Sequence, residues 1–172
     1  MITYHGVKQR SPEWFKLREG KWTGSTAIRL LQGKPLKKDT SDFTNPAMMR
    51  GQLLEPAALR EYSVMYKSIP RTVGFVTNSK YPNAGYSPDG IDGKILPEIK
   101  CLNGHRHDAL IAGDIPIEYI AQIQFGLLIC ELEKARLLAF NPEREQQLTV
   151  IDINRDEEII NNIIHHLELD IS

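Results

Sequence analysis

Cysteine is scarce in this chain: 172 residues carry only two, Cys101 and Cys130. Two thiols are too few for a disulfide framework or for a four-cysteine zinc or iron–sulfur site. Long apolar runs are missing too. No window approaches the ~18 consecutive apolar residues of a membrane span, and residues 1–10 are polar, without the apolar stretch of a signal peptide. There are no internal repeats and no low-complexity segments. Hydrophobic residues at 41% and charged residues at 25% sit near globular averages, which excludes a disordered class. A chain of this length buries roughly 70% of its unfolded surface, so its core needs no metal or disulfide staple. One domain over 1–172 is expected, soluble and cytoplasmic, with no membrane partner.

An excess of charge of one sign is also lacking. Lys and Arg number 21 against 22 Asp and Glu, a net charge of −1. That excludes a histone-like polybasic binder. It leaves open an enzyme acting on DNA, because an acidic metal site offsets a local basic surface in the total.

What is present begins with helix signals. Ser11-Pro12-Glu13-Trp14 reads as an N-cap, a proline at the first helical position and an acidic first turn, predicting a short helix to Gly20. A second helix is expected to open at 23–25. The segment 33–42, with glycine, proline and three lysines, is the best loop candidate. Asn45-Pro46 opens a longer helix in which Pro56 removes a backbone donor and predicts a kink. The period then changes to two: strands are expected over 72–77, 84–87 and 95–100, separated by Pro/Asn/Asp/Gly turns. From Pro116 an apolar stripe through Ile117, Ile120, Ile123, Leu127 and Leu128 is helical again. Strands over 134–140 and 147–153 and an amphipathic helix over 156–169 close the chain. This order predicts an α/β (α+β) fold, a central mixed sheet flanked by helices.

The chemistry concentrates in Ser87-Pro88-Asp89-Gly90 and Leu96-Pro97-Glu98-Ile99-Lys100. On a strand, residues two apart share a face, so Glu98 and Lys100 point together. Asp89 lies in the turn ending the preceding strand, from which it can fold back beside Glu98. Two converging carboxylates repel unless a cation or a proton joins them. Magnesium suits that position, as a hard ion that takes carboxylate oxygens and bridges to phosphate. Lys100 beside it would orient or help deprotonate a water, or stabilise charge on the phosphate. By spacing alone, an ordinary surface hairpin with charged residues at its end reads equally well. Glu55 on the long helix, and Tyr119, Gln122 and Gln124 interrupting the apolar stripe, add polar side chains that need partners.

Taken in order, these segments resemble the lambda-type phage exonucleases, the YqaJ-like viral recombinase nucleases of the PD-(D/E)XK superfamily. The resemblance runs through Trp14-Phe15-Lys16-Leu17-Arg18-Glu19-Gly20 with Thr23-Gly24-Ser25, then Gly51 to Glu55, Ser87-Pro88-Asp89-Gly90, Glu98-Ile99-Lys100-Cys101, Tyr119 to Gln124 and Asn141-Pro142. It implies a central mixed sheet with flanking helices, in a restriction-endonuclease-like core. It also implies 5′→3′ hydrolysis of one strand of linear double-stranded DNA, leaving 3′ overhangs for single-strand annealing recombination. The implied metal ligands are Asp89, Glu98 and the Ile99 carbonyl, with Glu55 acting directly or through water. Two Mg2+ ions are implied, with Mn2+ able to substitute. Lys100 is the implied catalytic lysine, Gln122 lines the same pocket and Tyr119 borders it. Arg18, Ser25 and Ser87 are implied to hold the 5′ phosphate, for which an arginine fork is chemically apt. The resemblance further implies a phage or prophage protein in a bacterial host, a single-strand annealing protein as partner, and a homotrimer. The chain departs from the lambda enzyme in being shorter and in carrying Pro56 after Glu55, and the missing length puts the ring in question.

Other features read as structural. His105, His107, His165 and His166 lack finger spacing and are expected at the surface. Cys101 alternates away from Lys100 and is expected as a buried thiol. Trp14 and Trp22 are expected in the core, and Lys34, Lys37 and Lys38 in a solvated loop that is equally able to touch DNA. Two rival functions stand beside the exonuclease. One is a restriction-type endonuclease or junction resolvase of the same superfamily. The other is a non-catalytic DNA-binding module, which the joint presence of Asp89, Glu98 and Lys100 disfavours.

Overall fold

The structure, a computed structural model, describes residues 1–37 and 45–171. Strand β1 (Ile2–His5) and helix α1 (Pro12–Arg18) lead into a 3-10 turn (Gly24–Thr26) and helix α2 (Ala27–Leu31). Helix α3 (Pro46–Tyr66) precedes strands β2 (Phe75–Asn78), β3 (Gly85–Tyr86) and β4 (Ile95–Lys100). Helices α4 (Gly104–Ile111) and α5 (Ile117–Cys130), strands β5 (Lys134–Phe140) and β6 (Leu148–Asn154), and helix α6 (Glu157–Ile171) follow.

The helix starts obey their caps. The Ser11 hydroxyl accepts the Trp14 N–H at 3.3 Å, and the Asn45 side chain accepts the Met48 N–H at 2.8 Å, each just before a proline at the first helical position. Pro56 does not end α3, which continues through it as one element with the ring on the exposed side. The helix expected to open at 23–25 begins later. Thr23 donates its N–H to Thr26 Oγ1 at 2.9 Å and so tightens a 3-10 turn before α2 starts at Ala27. Half of the loop expected over 33–42, Lys38 included, lies outside the described residues.

The sheet is mixed, as expected, but divided into two ladders. One is antiparallel in the order β1-β2-β3, pairing Tyr4 with Val76 and Val76 with Tyr86. The other runs β4-β5-β6, with β4 parallel to β5 (Glu98 opposite Leu137) and β5 antiparallel to β6 (Leu137 opposite Ile151). The opening strand β1 corrects the expectation that helices come first. It is an edge strand with Thr3 and Tyr4 exposed, so its sequence carries little apolar alternation.

Helix α5 ties the ladders together. It packs on β2 and β3 of the first and on β4 and β5 of the second, with α2 and α6 beside it. Strand parity then sorts the second ladder. Leu96, Ala135 and Leu137 join the main core with α5, whereas Ile99, Leu138 and Phe140 face Ala58 and Tyr62 of α3 in a smaller cluster. Covered on both sides, β4 and β5 read as nearly continuous buried strands.

Candidate active site

Parity places Glu98 and Lys100 on the α5 side of β4, and the side chains meet there. Lys100 Nζ donates to Gln122 Oε1 of α5 at 2.8 Å, lies 3.5 Å from Glu98 Oε1, and sits 4.4 Å from the Tyr119 ring centroid. A carbonyl, a carboxylate and an aromatic face thus fix one ammonium group. Glu98 is only 3% exposed, and its other oxygen, Oε2, accepts the Tyr86 hydroxyl at 2.7 Å. Tyr86 is itself immobilised. A Cβ on Gly24 would come within 2.7 Å of its ring and one on Gly126 within 2.6 Å, so both positions need glycine to admit the ring.

Asp89 folds back as expected. Its Oδ2 accepts the Ile99 N–H at 2.8 Å, which staples the 87–90 turn to the middle of β4. Burial pushes the Asp89 carboxyl well above the usual carboxylate range, and the charges of Glu98 and Glu55 push it further; the Ile99 N–H and Lys100 oppose them. Glu55, half-buried on α3, is raised by burial and then by Glu98, and is eased by Arg10 and Lys100. The three carboxylates therefore share one electrostatic neighbourhood. Among the described residues, no group of three or more His, Cys, Asp or Glu side chains is already disposed to hold an ion. The donor set nevertheless fits a hard divalent cation. All three donors are carboxylates, and positive charge between them would relieve the repulsion that raises Asp89 and Glu55.

Arg18 and Ser87 come together on Trp14. Arg18 Nη1 donates to Ser87 Oγ at 3.4 Å while its guanidinium lies 4.2 Å above the Trp14 ring, and Trp14 Nε1 donates to the same hydroxyl at 3.0 Å. Ser25 is exposed in the 3-10 turn, where its hydroxyl pairs with that of Thr23 at 3.1 Å. It does not open a helix, which removes that part of the argument for an anion at its backbone.

Several surrounding residues carry corrections. His107 is fully buried, with neither ring nitrogen hydrogen-bonded, because α4 turns it inward beside Leu110; His105 and His165 are exposed and His166 is half-exposed. Cys101 is half-buried rather than buried. Burial, then Glu55 and Asp89, push its thiol up to about 12, which makes it inert. Trp14 and Trp22 are core residues, and Lys34 and Lys37 are exposed.

Two contributors escaped sequence reasoning. Tyr86 carries only the strand alternation before Ser87, and its bond to Glu98 joins two different strands. Arg10 holds a left-handed backbone (φ 69°), and with the Gln52 amide turned oxygen-inward its Nη2 donates at 2.7 Å; only that unusual φ, invisible in sequence, marks it.

Residues 13–133 match the YqaJ-like viral recombinase domain. No match was found among curated proteins. Among solved structures, the chain is similar to LHK-Exo in complex with dAMP, at 26% identity and a TM-score of 0.81, covering 94% of this chain and 91% of that one. The alkaline exonuclease LHK-Exo from Laribacter hongkongensis superposes at a TM-score of 0.80, with the same identity and coverage. A phage-related exonuclease from Haemophilus somnus 129PT shares the fold at 14% identity and a TM-score of 0.60, covering 87% and 91% of the two chains. With residues 13–133 of its 172 matched by the family's domain, this chain belongs to the YqaJ-like viral recombinase domain family.

Proposed function

We propose that this protein is a divalent-metal-dependent exonuclease that digests one strand of linear double-stranded DNA from its 5′ end, leaving 3′ overhangs. The observation that carries this reading is the stapling of Asp89 to β4 through Ile99, which draws it to Glu98 and Lys100 with Glu55 in electrostatic range. The similarity to alkaline exonucleases supports it.

Asp89 and Glu98 would hold the metal with the Ile99 carbonyl, and Glu55 would complete the site directly or through water. Bound Mg2+, as one ion or two, would activate the attacking water and stabilise the leaving oxygen. The chain's own groups do the rest. Tyr86 fixes which Glu98 oxygen faces the site. Gln122 and Tyr119 hold the Lys100 ammonium where it can orient a water and meet the charge of the reacting phosphate. Arg18 and Ser87 supply donors on one aromatic platform for the 5′-terminal phosphate, with Ser25 a weaker candidate. A single domain, expected from chain length, belongs to the same reading, as do a trimeric assembly and an annealing-protein partner, which rest on the family resemblance.

A time course with Mg2+ on end-labelled linear duplex and on covalently closed DNA tests the proposal. Release of 5′ nucleotides from the linear substrate, with the closed circle left intact, is expected. Cutting of the closed circle would favour the endonuclease or resolvase, and metal binding without hydrolysis of either substrate the non-catalytic module.

A further inference from the structure

Beside the carboxylates, between the start of α3 and the end of β4, lies a cavity of about 560 Å³. That size falls within the ~300–1,000 Å³ of pockets that hold small ligands. Arg50, Lys100 and Arg106 line it together with Asn45, Asn103 and the Cys101 thiol, and among the described residues no carboxylate does. In a chain of net charge −1, a lining of one sign is a local departure that favours an anion. Lys100 belongs to both the cavity and the carboxylate cluster, so the two are continuous.

Arg50 is the informative member. Its Nε and Nη2 are buried and find no hydrogen-bond partner among the described residues. Buried donors left unpaired reduce stability, so they persist where a bound group supplies acceptors. Arg136 offers the contrast. Its Nε is also unpartnered, but Asp92 and Asp152 stand within ion-pair distance and Tyr62 accepts from its Nη1. No ion pair compensates Arg50 among the described residues. Across the cavity, exposed Arg106 reaches the Tyr119 hydroxyl at 3.5 Å, on the ring that covers Lys100. A guanidinium fork with free donors matches phosphate oxygens in geometry and charge.

We infer that this cavity binds a backbone phosphate of the DNA strand being cut, next along from the phosphate at the carboxylates, with Arg50 as its anchor and Arg106 as its outer wall. The inference rests on the nuclease reading above. It adds a second grip on the strand, at residues distinct from the Arg18–Ser87 pair.

Methylphosphonate linkages, which remove the charge of one phosphodiester at a time, test it. They are placed at the second, third or fourth linkage of the cut strand, and release of the first nucleotide is timed for wild type and for Arg50→Met, which keeps the aliphatic stem. At one linkage the neutral group should slow wild type about 10-fold or more, the usual weight of a charge-assisted bond, and should not slow Arg50→Met further. On unmodified DNA, Arg50→Met should be slower by a similar factor, and its log–log salt slope of binding should fall by about one. Its melting temperature should not fall, since the substitution removes two buried donors that have no partner among the described residues; Arg50→Lys should fall between the two in rate. Losses that multiply at every linkage overturn the inference. So does coupling at no linkage with relief of inhibition by added deoxynucleoside monophosphate, which would make the cavity a product site. If wild type digests no end-labelled duplex, the nuclease reading fails instead, whereas normal digestion without coupling removes the cavity alone.

Discussion

Glu98 is held from two sides, by the Tyr86 hydroxyl on Oε2 and by Lys100 near Oε1. Groups that orient a ligating carboxylate typically alter metal affinity by about 10- to 100-fold when removed. Tyr86→Phe keeps the ring in its glycine cradle and removes only the hydroxyl. It is therefore expected to weaken Mn2+ binding by about that factor, measured by electron paramagnetic resonance without DNA, with a small change in melting temperature. Unchanged binding would leave Tyr86 as packing alone. Lys100→Ala is expected to lower turnover far more than DNA affinity, because the role proposed for its ammonium is at the reacting phosphate; equal losses would make it a simple DNA contact. Local periods carry part of this site: strand alternation puts Glu98 and Lys100 on one face, and the turn before them holds Asp89. Glu55, Gln122, Arg18 and Ser87 are reached only through the family resemblance, since local alternation does not mark them. Tyr86 and Arg10 act through contacts across elements, which no local period records.

At the scale of elements, the caps at Ser11 and Asn45 and the runs of β4 and β5 were legible because each is fixed by neighbouring residues. Edge strand β1 was not, since exposed Thr3 and Tyr4 blur its alternation, and α4 hid the inward turn of His107. That histidine has a measurable consequence. Burial lowers its pKa from the ordinary value near 6.5, with nearby Arg144 adding to the shift and Asp108 opposing it. A depressed folded pKa means that stability is fully present above the unfolded value and is lost as pH falls, because the unfolded chain takes up a proton that the native α4 refuses. The melting temperature of wild type minus that of His107→Leu is accordingly expected to fall between pH 7.5 and pH 5, since the difference cancels the groups common to both proteins. A difference that does not change with pH would remove His107 from the pH response.

At the scale of the whole molecule, α5 bridges the two ladders and so delivers Gln122 to β4, while α3 closes the other side with Glu55. The fold thereby gathers three carboxylates that repel one another, and under the proposed function this sets the response expected to metal. Asp89 and Glu55 are raised above their unfolded values, so without a cation their contribution to stability is present at low pH and is lost as pH rises through the raised folded values. A divalent ion binding only the native state reverses the loss, by about 2.7 kcal/mol at 100 times its dissociation constant. For a domain of this size, each kcal/mol is worth roughly 2–4 °C. Melting temperature in Mg2+ minus that in EDTA is expected to be small near pH 4 and to reach about 5–10 °C near pH 8. Asp89→Asn removes one of the repelling charges and one ligand. It should raise the melting temperature in EDTA at pH 8 and abolish most of the Mg2+ increment. An increment that is absent in wild type, or that survives in Asp89→Asn, would show that these carboxylates do not hold the ion.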